Sequence, residues 1–375
     1  MSRDILEPNS TIGIIGGGQL GRMMALAAKF MGYRIVVLDP SPDSPCGQVA
    51  DQKIIANYTD GQALKKLAEM ADVLTYEFEN VNVKALQKIE NQVNVPQGSR
   101  LLEITQDRIL EKQYLSSCQV KLAPYVVVND QTDLLQAICS LDYPVILKTV
   151  RGGYDGKGQV LLRSEEDLEQ ALNLFQQGIC VLEKQIALEK EISVVVTGNR
   201  NGQIEVFPVS ENIHQNHILH QSIVPARISS TLAEKVENLA KKIAESLSLQ
   251  GNLAIEMFVS KAGELLVNEL APRPHNSGHY TIEACNISQF AQHIRAIVGL
   301  PLLKPKLNTA VVMVNILGQH VQEVLEQRGK NPHWFVHFYG KKERKENRKM
   351  GHLTILTEDV EKVQEELEKT KIWNK

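Results

Sequence analysis

The sequence predicts a fold with an α/β unit followed by a larger α+β unit, and three observations support this. Near the amino terminus, "TIGIIGG" has the pattern of a strand, "QLGRMMALAAKFMG" that of a helix ending at Gly32, and "YRIVVLDP" and "ADVLTYEFE" those of further strands. Strand, helix and strand in this order predict a parallel sheet. From about residue 120, shorter strands surround a glycine-rich tip and hairpins follow. The length of 375 residues allows two or three domains.

The remaining elements follow in chain order. "NVPQGSRLLEITQDRILEKQYLSSC" predicts a linker and then a helix. The strands "APYVVVND", "YPVILKTV", "GQVLLR" and "CVLEKQI", with the helices "TDLLQAICSL" and "EEDLEQALNLF", predict a small α+β lid. "EISVVVTGNRNGQIEVFPVS" predicts a hairpin turning on "NRNG", followed by a long helix, a second hairpin and a helix near "FAQHIRAIVG". We predict domains at 1–105, 106–300 (lid about 120–190) and 301–375, the last a small mixed appendage.

Composition and charge exclude several classes of protein. The chain is 43% hydrophobic and 23% charged, with a net charge of −3 and a pI near 6.4. These values describe a soluble globular protein that binds neither nucleic acid nor membranes. The five cysteines show no metal-ligand or redox spacing, so we expect reduced, mostly buried thiols. The amino-terminal segment lacks the apolar core of a signal peptide, and no run approaches the ~18 apolar residues of a membrane span. We therefore expect a cytoplasmic protein.

The first glycine motif, "GGGQLG", matches the dinucleotide-binding fingerprint. Gly16, Gly18 and Gly21 follow a predicted strand and open a predicted helix, and Asp39 ends the next strand. A Rossmann-like domain and an NAD-dependent oxidoreductase are one interpretation. The same geometry can hold any phosphate, because glycines let helix-start amides approach an anion closely. A tight structural turn with Asp39 as a cap is equally compatible with the pattern.

The second predicted hairpin, "NLAIEMFVSKAGELLVNELAPRP", places two carboxylates opposite each other. Glu256 and Glu269 are about equally far from a turn near 261–263, so they should face each other in an antiparallel pair. Two carboxylates in apolar strands favour a hard divalent cation, and Mg²⁺ commonly combines one or two carboxylates with phosphate oxygens. A solvated charged face is the alternative. A register shift of one residue would separate the two side chains.

Several separated motifs together resemble those of the ATP-grasp enzymes, and within them of the carboxylases that act on 5-aminoimidazole ribonucleotide. The motifs are "GIIGGGQLGRMM", "DVLTYEFEN", "RGGYDGKGQ", "VLEKQIALEKEISV", "NELAPRPHNSGHYTIEAC" and "RKMGHLT". The resemblance covers nearly the full length. It implies an ATP-grasp fold with an amino-terminal Rossmann-like (pre-ATP-grasp) domain and a small carboxyl-terminal domain. It also implies that the glycine-rich tip is a mobile lid whose backbone amides close over the ATP phosphates.

The resemblance assigns roles in ATP binding to many residues. Fixed positive charge near the phosphates would offset the charge of the transferred group; "EKQI" would offer backbone hydrogen bonds to adenine, and one acid would meet the ribose hydroxyls. The assigned residues are Arg108, Lys148, Gly153, Tyr154, Asp155, Gly156, Lys157, Gly158, Gln159, Glu183, Lys184, Gln185, Ile186, Glu191 (ribose), His214, Asn268 and Glu269. The metal ligands would be Glu256 and Glu269, for Mg²⁺ or alternatively Mn²⁺. Many ATP-grasp enzymes have an asparagine where this chain has Ala271, which puts a second metal in doubt.

The implied reaction joins bicarbonate to an amine. Bicarbonate would attack the γ-phosphate of ATP, giving carboxyphosphate and ADP, with Arg273, His275 and Asn276 beside the transferred group. Asp155 would orient the exocyclic amine of 5-aminoimidazole ribonucleotide or take its proton. An aspartate between glycines is otherwise an ordinary turn residue.

The ribose 5-phosphate of this substrate requires cations. The run "GKKERKENRK" supplies them, and the resemblance assigns Lys341 and Arg348, although such a run is usually solvated. The anion could also meet the first glycine turn near Gln19 and Leu20, with Glu77 in the same pocket. A formate-dependent glycinamide ribonucleotide transformylase, an NAD-dependent oxidoreductase and a non-catalytic nucleotide-binding module remain alternatives. A homodimer is expected, because dimers are common among similar enzymes.

Overall fold

The structure is a computed structural model that describes residues 5–153 and 157–373. The predictions for Tyr154, Asp155 and Gly156 therefore lie outside the described residues. Within the described ranges the strands form three sheets, one parallel and two antiparallel.

The first unit is a parallel sheet with helices on its two faces. Its elements are β1 (Thr11–Ile15), α1 (Gln19–Phe30), β2 (Arg34–Leu38), β3 (Gln52–Ile54), α2 (Gly61–Met70), β4 (Val73–Tyr76), α3 (Val83–Ile89) and α4 (Gly98–Thr105). The strand order is β3, β2, β1, β4, all parallel. The side chains of β1 are buried on both faces because helices cover the sheet. The predicted α/β unit is confirmed, and α1 stops where Gly32 adopts a φ of +89°.

The second sheet, called here the lid sheet, forms a small α+β unit as predicted. Its elements, with the preceding helix, are α5 (Arg108–Ser117), β5 (Tyr125–Val128), α6 (Gln131–Leu141), β6 (Val145–Thr149), β7 (Gln159–Leu162), α7 (Leu168–Phe175) and β8 (Cys180–Lys184). The antiparallel order is β5, β8, β6, β7. The predicted single helix before the lid is two helices, because the Asp107 carboxylate caps a new start by accepting hydrogen bonds from the amides of Ile109 and Leu110.

The third sheet is antiparallel and has nine strands within the described part of the chain. Its first elements are β9 (Leu188–Gly198), β10 (Ile204–Val206), β11 (Ser210–Gln215), β12 (Ile218–Val224), α8 (Ser230–Ser246), β13 (Gly251–Ser260), β14 (Leu265–Ala271), α9 (Thr281–Ala284) and α10 (Gln289–Ile297). Both predicted hairpins are present, as β9–β10 and β13–β14. The hairpin β11–β12 was not predicted from the sequence.

The carboxyl-terminal segment completes this same sheet. Its elements are β15 (Ala310–Leu317), α11 (Val321–Gln327), β16 (Phe335–Phe338), β17 (Lys349–Thr357) and α12 (Val360–Thr370). The strand order is β14, β13, β9, β11, β12, β15, β17, β16, and β10 pairs with β9. The predicted small carboxyl-terminal appendage is present and is continuous with this sheet, because β15 pairs directly with β12 and shares a buried apolar cluster with it. The predicted domain boundaries at 105/106 and 300/301 fall between elements, while the predicted end of the lid near 190 lies within β9. The boundaries stay a prediction.

Two predictions from composition also have structural counterparts. All five cysteines are free, and four of them are buried while Cys139 is exposed. The expectation of mostly buried cysteines is thus confirmed, and their reduced state stays a prediction. Among the residues that the structure describes, no helix has the length and apolar character needed to cross a membrane.

Candidate active site

A cavity of about 930 Å³ lies where the first unit, the lid sheet and the nine-stranded sheet meet. Its walls come from the start of α1, the end of β4, the start of α5, the lid tip, the hairpin β13–β14 and the loop before β17. This volume is at the upper end of the range typical of ligand pockets, roughly 300–1,000 Å³. The cavity is therefore large enough for a nucleotide together with a second substrate.

The hairpin β13–β14 brings two carboxylates into the cavity. Glu256 and Glu269 are direct partners across the two strands, and both line the cavity, as the sequence predicted. The pairing depends on a β-bulge, because Met257 pairs with Val267 and the next residue, Asn268, has no partner of its own in the register. Without this extra residue Glu256 would face Asn268 instead.

Each of these carboxylates lies beside a cationic or ionisable partner. Arg108 Nη1 is 3.3 Å from Glu269 Oε2, and His275 Nε2 is 3.0 Å from Glu256 Oε1. Burial by itself would raise the pKa of Glu256, but the hydrogen bond and charge of His275 outweigh it and lower the pKa to about 2. Glu256 is therefore ionised at neutral pH.

A third carboxyl group, Glu111, was missed by the sequence analysis. It is fully enclosed on α5, lines the cavity and accepts a hydrogen bond of 2.8 Å from the amide of Leu270. Burial and then the nearby charge of Glu269 raise its pKa to about 8. In the sequence Glu111 is an ordinary polar residue in the first turn of a helix, and only the packing of α5 against β14 reveals its position.

The donor set suits a hard divalent cation. Two carboxylates that face each other across one hairpin repel, and a cation bound between them would remove that repulsion. Within residues 5–153 and 157–373, no group of three or more histidine, cysteine, aspartate or glutamate side chains is arranged to hold a metal ion. A metal at this hairpin would therefore rest on two protein carboxylates, with the remaining ligands supplied by a bound substrate.

The described part of the lid tip borders the same cavity. Gly153 and Lys157 line it, and Gln159 begins β7. Gly158 has a φ of +71°, and a Cβ at this position would clash with Thr149 Oγ1. Glycine is thus required at Gly158 for the tight turn that returns the chain to β6.

Lys148 and Glu183 form a buried pair inside the lid sheet. Lys148 Nζ is 2.8 Å from Glu183 Oε2, and the two residues are 7% and 3% exposed. The Lys148 amine, which was predicted to contact phosphate, is thus engaged by this carboxylate. The sequence does not indicate this pair, because Lys148 and Glu183 lie on β6 and β8 and meet only when these strands pair.

The end of β8 is fixed by hydrogen bonds to neighbouring loops. The amides of Lys184 and Gln185 donate to the carbonyls of Pro124 and Pro144 at 2.8 and 3.1 Å. The side chain of Lys184 also bonds to two carbonyls of the loop before β6. Hydrogen bonds of Lys184 and Gln185 thus hold the segment 183–186, which was predicted to contact adenine, at the end of the lid sheet.

Glu191 and His214 lie together on neighbouring strands, β9 and β11. His214 Nδ1 is 2.7 Å from Glu191 Oε2, and His214 lines the cavity. Burial would lower the pKa of His214, but the hydrogen bond and charge of Glu191 outweigh it, so the pKa is raised. These two residues, assigned to the nucleotide site separately, form one unit.

The loop after β14 contributes the three residues predicted beside the transferred group, and Arg273, His275 and Asn276 all line the cavity. Arg273 Nε is 2.7 Å from Glu79 Oε1, so this arginine connects the loop to the first unit. Asn276 exchanges amide hydrogen bonds of 2.8 and 2.9 Å with Asn315 of β15. The loop is therefore held by the first unit through Arg273 and by β15 through Asn276. Between these two contacts, the His275 side chain lies against Glu256.

The first glycine turn is occupied by acidic side chains. Glu77 accepts hydrogen bonds from the amides of Gly18 and, at 2.6 Å, Gly21. Asp39 accepts one of 2.8 Å from Gly17. These are amides of the kind that would bind a dinucleotide phosphate, so the geometry argues against the oxidoreductase interpretation. Burial raises the pKa of Glu77 against the effect of its two hydrogen bonds.

The predicted substrate residues lie at two neighbouring walls of the cavity. Gln19, Leu20 and Glu77 border it at the start of α1, and Lys341 and Arg348 border it at the loop before β17. Glu77 already accepts hydrogen bonds from the amides of the turn. An anion therefore binds better at the loop before β17 that carries Lys341 and Arg348, called here the basic wall, than at the turn itself.

The basic wall contains more cations than the sequence analysis singled out. Lys345 and Lys349 also line the cavity, and they belong to the same basic run. The Lys341 amine donates to the carbonyl of Lys349 at 2.7 Å, and Arg348 Nη1 donates to the carbonyl of Glu343 at 3.2 Å. In the sequence these residues are marked only by the basic run to which they belong, and a count of charges alone would have predicted that the run is exposed to solvent.

Three family models match the chain in succession. They are the ribonucleotide synthetase preATP-grasp domain at residues 9–106, the ATP-grasp domain at 113–290, and the phosphoribosylaminoimidazole carboxylase C-terminal domain at 311–366. The first model covers the parallel sheet, the second covers the lid sheet and the third-sheet strands up to β14, and the third covers the carboxyl-terminal strands of that sheet. The resemblance to the ATP-grasp enzymes is confirmed.

Individual relatives agree over nearly the full length. The chain is 52% identical over 356 residues to the N5-carboxyaminoimidazole ribonucleotide synthase of Bacillus subtilis (strain 168), covering 95% of this chain and 94% of that protein. The Staphylococcus aureus N5-carboxyaminoimidazole synthetase complexed with ADP matches with a TM-score of 0.95, 46% identity and 98% of each chain.

A more distant relative has been solved with both ligands. The Aspergillus clavatus N5-carboxyaminoimidazole synthase in complex with ADP and 5-aminoimidazole ribonucleotide matches with a TM-score of 0.90 and 28% identity, over 96% of this chain and 97% of that one. Fold, cavity and full-length similarity agree, and the chain belongs to the N5-carboxyaminoimidazole ribonucleotide synthase family of ATP-grasp enzymes.

Proposed function

We propose that this chain catalyses the ATP- and bicarbonate-dependent carboxylation of the amine of 5-aminoimidazole ribonucleotide. The products are N5-carboxyaminoimidazole ribonucleotide, ADP and phosphate, and the reaction belongs to de novo purine biosynthesis. The observation that carries the proposal is a single cavity with facing carboxylates on one wall and a basic run on another. The first suits a metal-bound triphosphate and the second a sugar phosphate. The A. clavatus complex with ADP and 5-aminoimidazole ribonucleotide supports the same pair of ligands.

Glu256 and Glu269 would hold Mg²⁺, with Mn²⁺ as an alternative. His275 lies at Oε1 of Glu256 and Arg108 at Oε2 of Glu269, so the other oxygen of each carboxylate can face a cation. Bound Mg²⁺ neutralises charge on the phosphate oxygens during phosphoryl transfer. Arg108 and His275 keep both carboxylates oriented toward the cavity.

The nucleotide would lie between the lid sheet and the hairpin. Backbone amides of the lid tip at 153–159 would approach the phosphates, and Arg108 and Lys148 would add positive charge. The segment 183–186 would contact adenine, Glu191 the ribose hydroxyls, and His214 and Asn268 the remainder of the nucleotide. Gly153, Lys157 and His214 all line the cavity, which supports this arrangement.

The chemistry would proceed in two balanced steps. An oxygen of bicarbonate attacks the γ-phosphorus, the bond to the β-phosphate oxygen breaks, and ADP leaves. Arg273, His275 and Asn276 would hold the resulting carboxyphosphate, because they line the cavity beside Glu256. The amine then forms a bond to the carboxyl carbon, phosphate leaves, and Asp155 accepts the proton that the amine loses.

The acceptor would bind with its 5-phosphate at the basic wall. Lys341 and Arg348 would contact the phosphate, since both line the cavity and belong to a loop in which their side chains donate hydrogen bonds to backbone carbonyls. Gln19, Leu20 and Glu77 would border the ribose. The carboxylate of Glu77 is a suitable acceptor for sugar hydroxyls, because its position is fixed by the amides of the glycine turn.

The direct test is phosphate release from MgATP with 5-aminoimidazole ribonucleotide, with bicarbonate or formate supplied separately. We expect phosphate release that depends on bicarbonate and on the ribonucleotide. Turnover that instead requires formate and glycinamide ribonucleotide would assign the chain to the transformylase class. Tight binding of NADH with no response to MgATP would revive the oxidoreductase interpretation.

We also propose that the protein works in the cytoplasm as a homodimer, without nucleic acid or membrane partners. The free, mostly buried cysteines support a cytoplasmic location. The near-neutral net charge supports the lack of nucleic acid and membrane partners. Light scattering coupled to size-exclusion chromatography measures the oligomeric state, and the monomer mass of 41.9 kDa at micromolar concentration would contradict the dimer.

A further inference from the structure

A second buried lysine, Lys112 of α5, joins the pair inside the lid sheet. Lys112 Nζ is 2.9 Å from Glu183 Oε1, while Lys148 Nζ is 2.8 Å from Glu183 Oε2. Lys112, Glu183 and Lys148 are 2%, 3% and 7% exposed. The contact of Lys112 is an ion pair rather than a well-directed hydrogen bond, and its amine also lies 5.2 Å from the centroid of the Tyr125 ring. The Glu183 carboxylate thus forms ion pairs with two buried ammonium groups, one at each of its oxygens.

The charges of this cluster do not balance. Two ammonium groups and one carboxylate leave a net positive charge in a site from which water is largely excluded. Burying an uncompensated charge is costly, and a neighbouring anion would reduce that cost. Burial would raise the pKa of Glu183, but the charges of Lys148 and then Lys112 outweigh it and lower the pKa to about 2. Glu183 therefore stays ionised, and it needs a cation at all times.

The two lysines belong to different parts of the structure. Lys148 and Glu183 lie on adjacent strands of the lid sheet, where β6 and β8 pair. Lys112 lies on α5, one helical turn after Arg108, whose side chain lines the cavity and contacts Glu269. Lys112 therefore binds the lid sheet to the helix that begins at the nucleotide end of the cavity.

We propose that Lys112 is a positioning residue: it remains the counter-ion of Glu183 so that Lys148 can leave this carboxylate and contact a nucleotide phosphate. The inference rests on the proposed function, in which Lys148 is a phosphate contact. Without Lys112, every movement of Lys148 toward phosphate leaves Glu183 enclosed and unpaired. The cost of that unpaired charge would appear directly as lost affinity for ATP.

The experiment measures MgATP binding by isothermal titration calorimetry in Lys112→Met, Lys112→Arg and the double variant Lys112→Met with Glu183→Gln. We expect the Kd for MgATP to rise on the order of tenfold or more in Lys112→Met. Lys112→Arg should restore most of the affinity because it keeps the charge. The double variant should also recover affinity, because the neutral amide introduced by Glu183→Gln no longer requires a cation when Lys148 moves.

A matched control and a second variant keep the test decisive. Lys121→Met removes a lysine whose side chain is 69% exposed and whose partner is Glu264, so its Kd for MgATP should equal that of the wild type. If Lys112→Met does not fold, Lys112→Gln removes the charge while keeping a donor for Glu183. The KM for 5-aminoimidazole ribonucleotide at saturating ATP should change less than the Kd for MgATP.

The outcomes separate the inference from the proposed function. Unchanged MgATP affinity in folded Lys112→Met or Lys112→Gln would overturn the positioning role. Equal losses in MgATP affinity, ribonucleotide KM and kcat, without recovery in the double variant, would overturn it too, because they indicate only a structural role. Failure of the wild-type protein to release phosphate in the bicarbonate assay would instead reject the proposed function.

Discussion

Replacing Glu269 with glutamine removes one of the two facing carboxylate charges and keeps the shape of the side chain. The fold should tolerate this change. The lost ion pair with Arg108 spans 3.3 Å, but the Glu269 side chain is 41% exposed, so the pair contributes only about 0–1 kcal/mol to stability. The substitution also removes the repulsion between Glu269 and the buried carboxyl of Glu111, and this change favours the folded state. We therefore expect a free energy of unfolding within about 1 kcal/mol of the wild type.

The effect of Glu269→Gln on turnover should be much larger. Loss of one preorganised group that stabilises developing charge typically lowers kcat on the order of 10²–10³-fold, or roughly 3–4 kcal/mol. A ligand of a metal ion that would neutralise charge on the phosphate oxygens belongs to this class. The predicted loss in activation free energy thus exceeds the predicted change in stability severalfold, and a folding defect cannot account for it.

The assay is bicarbonate-dependent phosphate release over a range of Mg²⁺ concentrations, with urea unfolding measured on the same protein. Glu264→Gln is the matched control, since it lies in the same hairpin region but is half-exposed and pairs with Lys121. The control should keep wild-type kcat. A kcat for Glu269→Gln within about threefold of the wild type would refute the role of this hairpin in metal binding.

Other parts of the structure carry three more predictions. Gly340→Ala should raise the KM for 5-aminoimidazole ribonucleotide severalfold in steady-state kinetics, while the KM for MgATP stays constant. Gly340 has a φ of +80°, which alanine rarely adopts, so the strained backbone would displace the adjacent Lys341. Equal changes in both KM values would contradict this. Asp155→Asn should lower carboxylation far more than MgATP affinity, and an unchanged rate would make Asp155 a turn residue. Folding lowers the pKa of Glu183 from 4.5 to about 2, so the contribution of its ionised form to stability is complete above pH 4.5 and is lost as the pH falls toward 2. Urea unfolding at a series of pH values should show this loss of stability. A free energy of unfolding that stays constant over this pH range would exclude the contribution.

The hairpin shows both the reach and the limit of prediction from sequence. Counting outward from the turn paired Glu256 with Glu269, and the structure has that pair. Regular pairing through Met257 and Val267, however, would have placed Asn268 opposite Glu256. The correct pair exists because one extra residue bulges from β14, and no composition or periodicity rule identifies a bulge at that position. The prediction was confirmed through a geometric feature that it did not contain.

Other features of the site depend on contacts between distant segments. Glu111 and Lys112 are adjacent polar residues in a helix, and the sequence offers no reason to place both in the interior. They are buried because α5 packs between β14 and the lid sheet, where each finds a partner, the Leu270 amide for Glu111 and the Glu183 carboxylate for Lys112. Buried charged groups require such partners, and the partners are visible only in the folded structure.

The glycine turn shows why a correct local motif can indicate the wrong ligand. The predicted strand, turn and helix are all present, and amides at the helix start do bind carboxylates. The carboxylates are those of Asp39 and Glu77, which follow β2 and β4 at the same edge of the sheet. A fingerprint describes the donor amides only, and whether a ligand or the protein's own side chain accepts from them is decided by residues far along the chain.

The extension of the nine-stranded sheet into the carboxyl-terminal segment determines how the two substrates can meet. Because β12 pairs with both β11 and β15, the hairpin carrying Glu256 and the loop carrying Lys341 belong to one continuous hydrogen-bonded sheet. The distance between the paired carboxylates and the basic loop is therefore set by strand spacing rather than by a linker. The lid tip belongs to a different sheet, so a movement of the lid sheet would leave the wall formed by this loop in place. Transfer of a carboxyl group between two bound molecules requires such a fixed separation, since small errors in position are costly in rate.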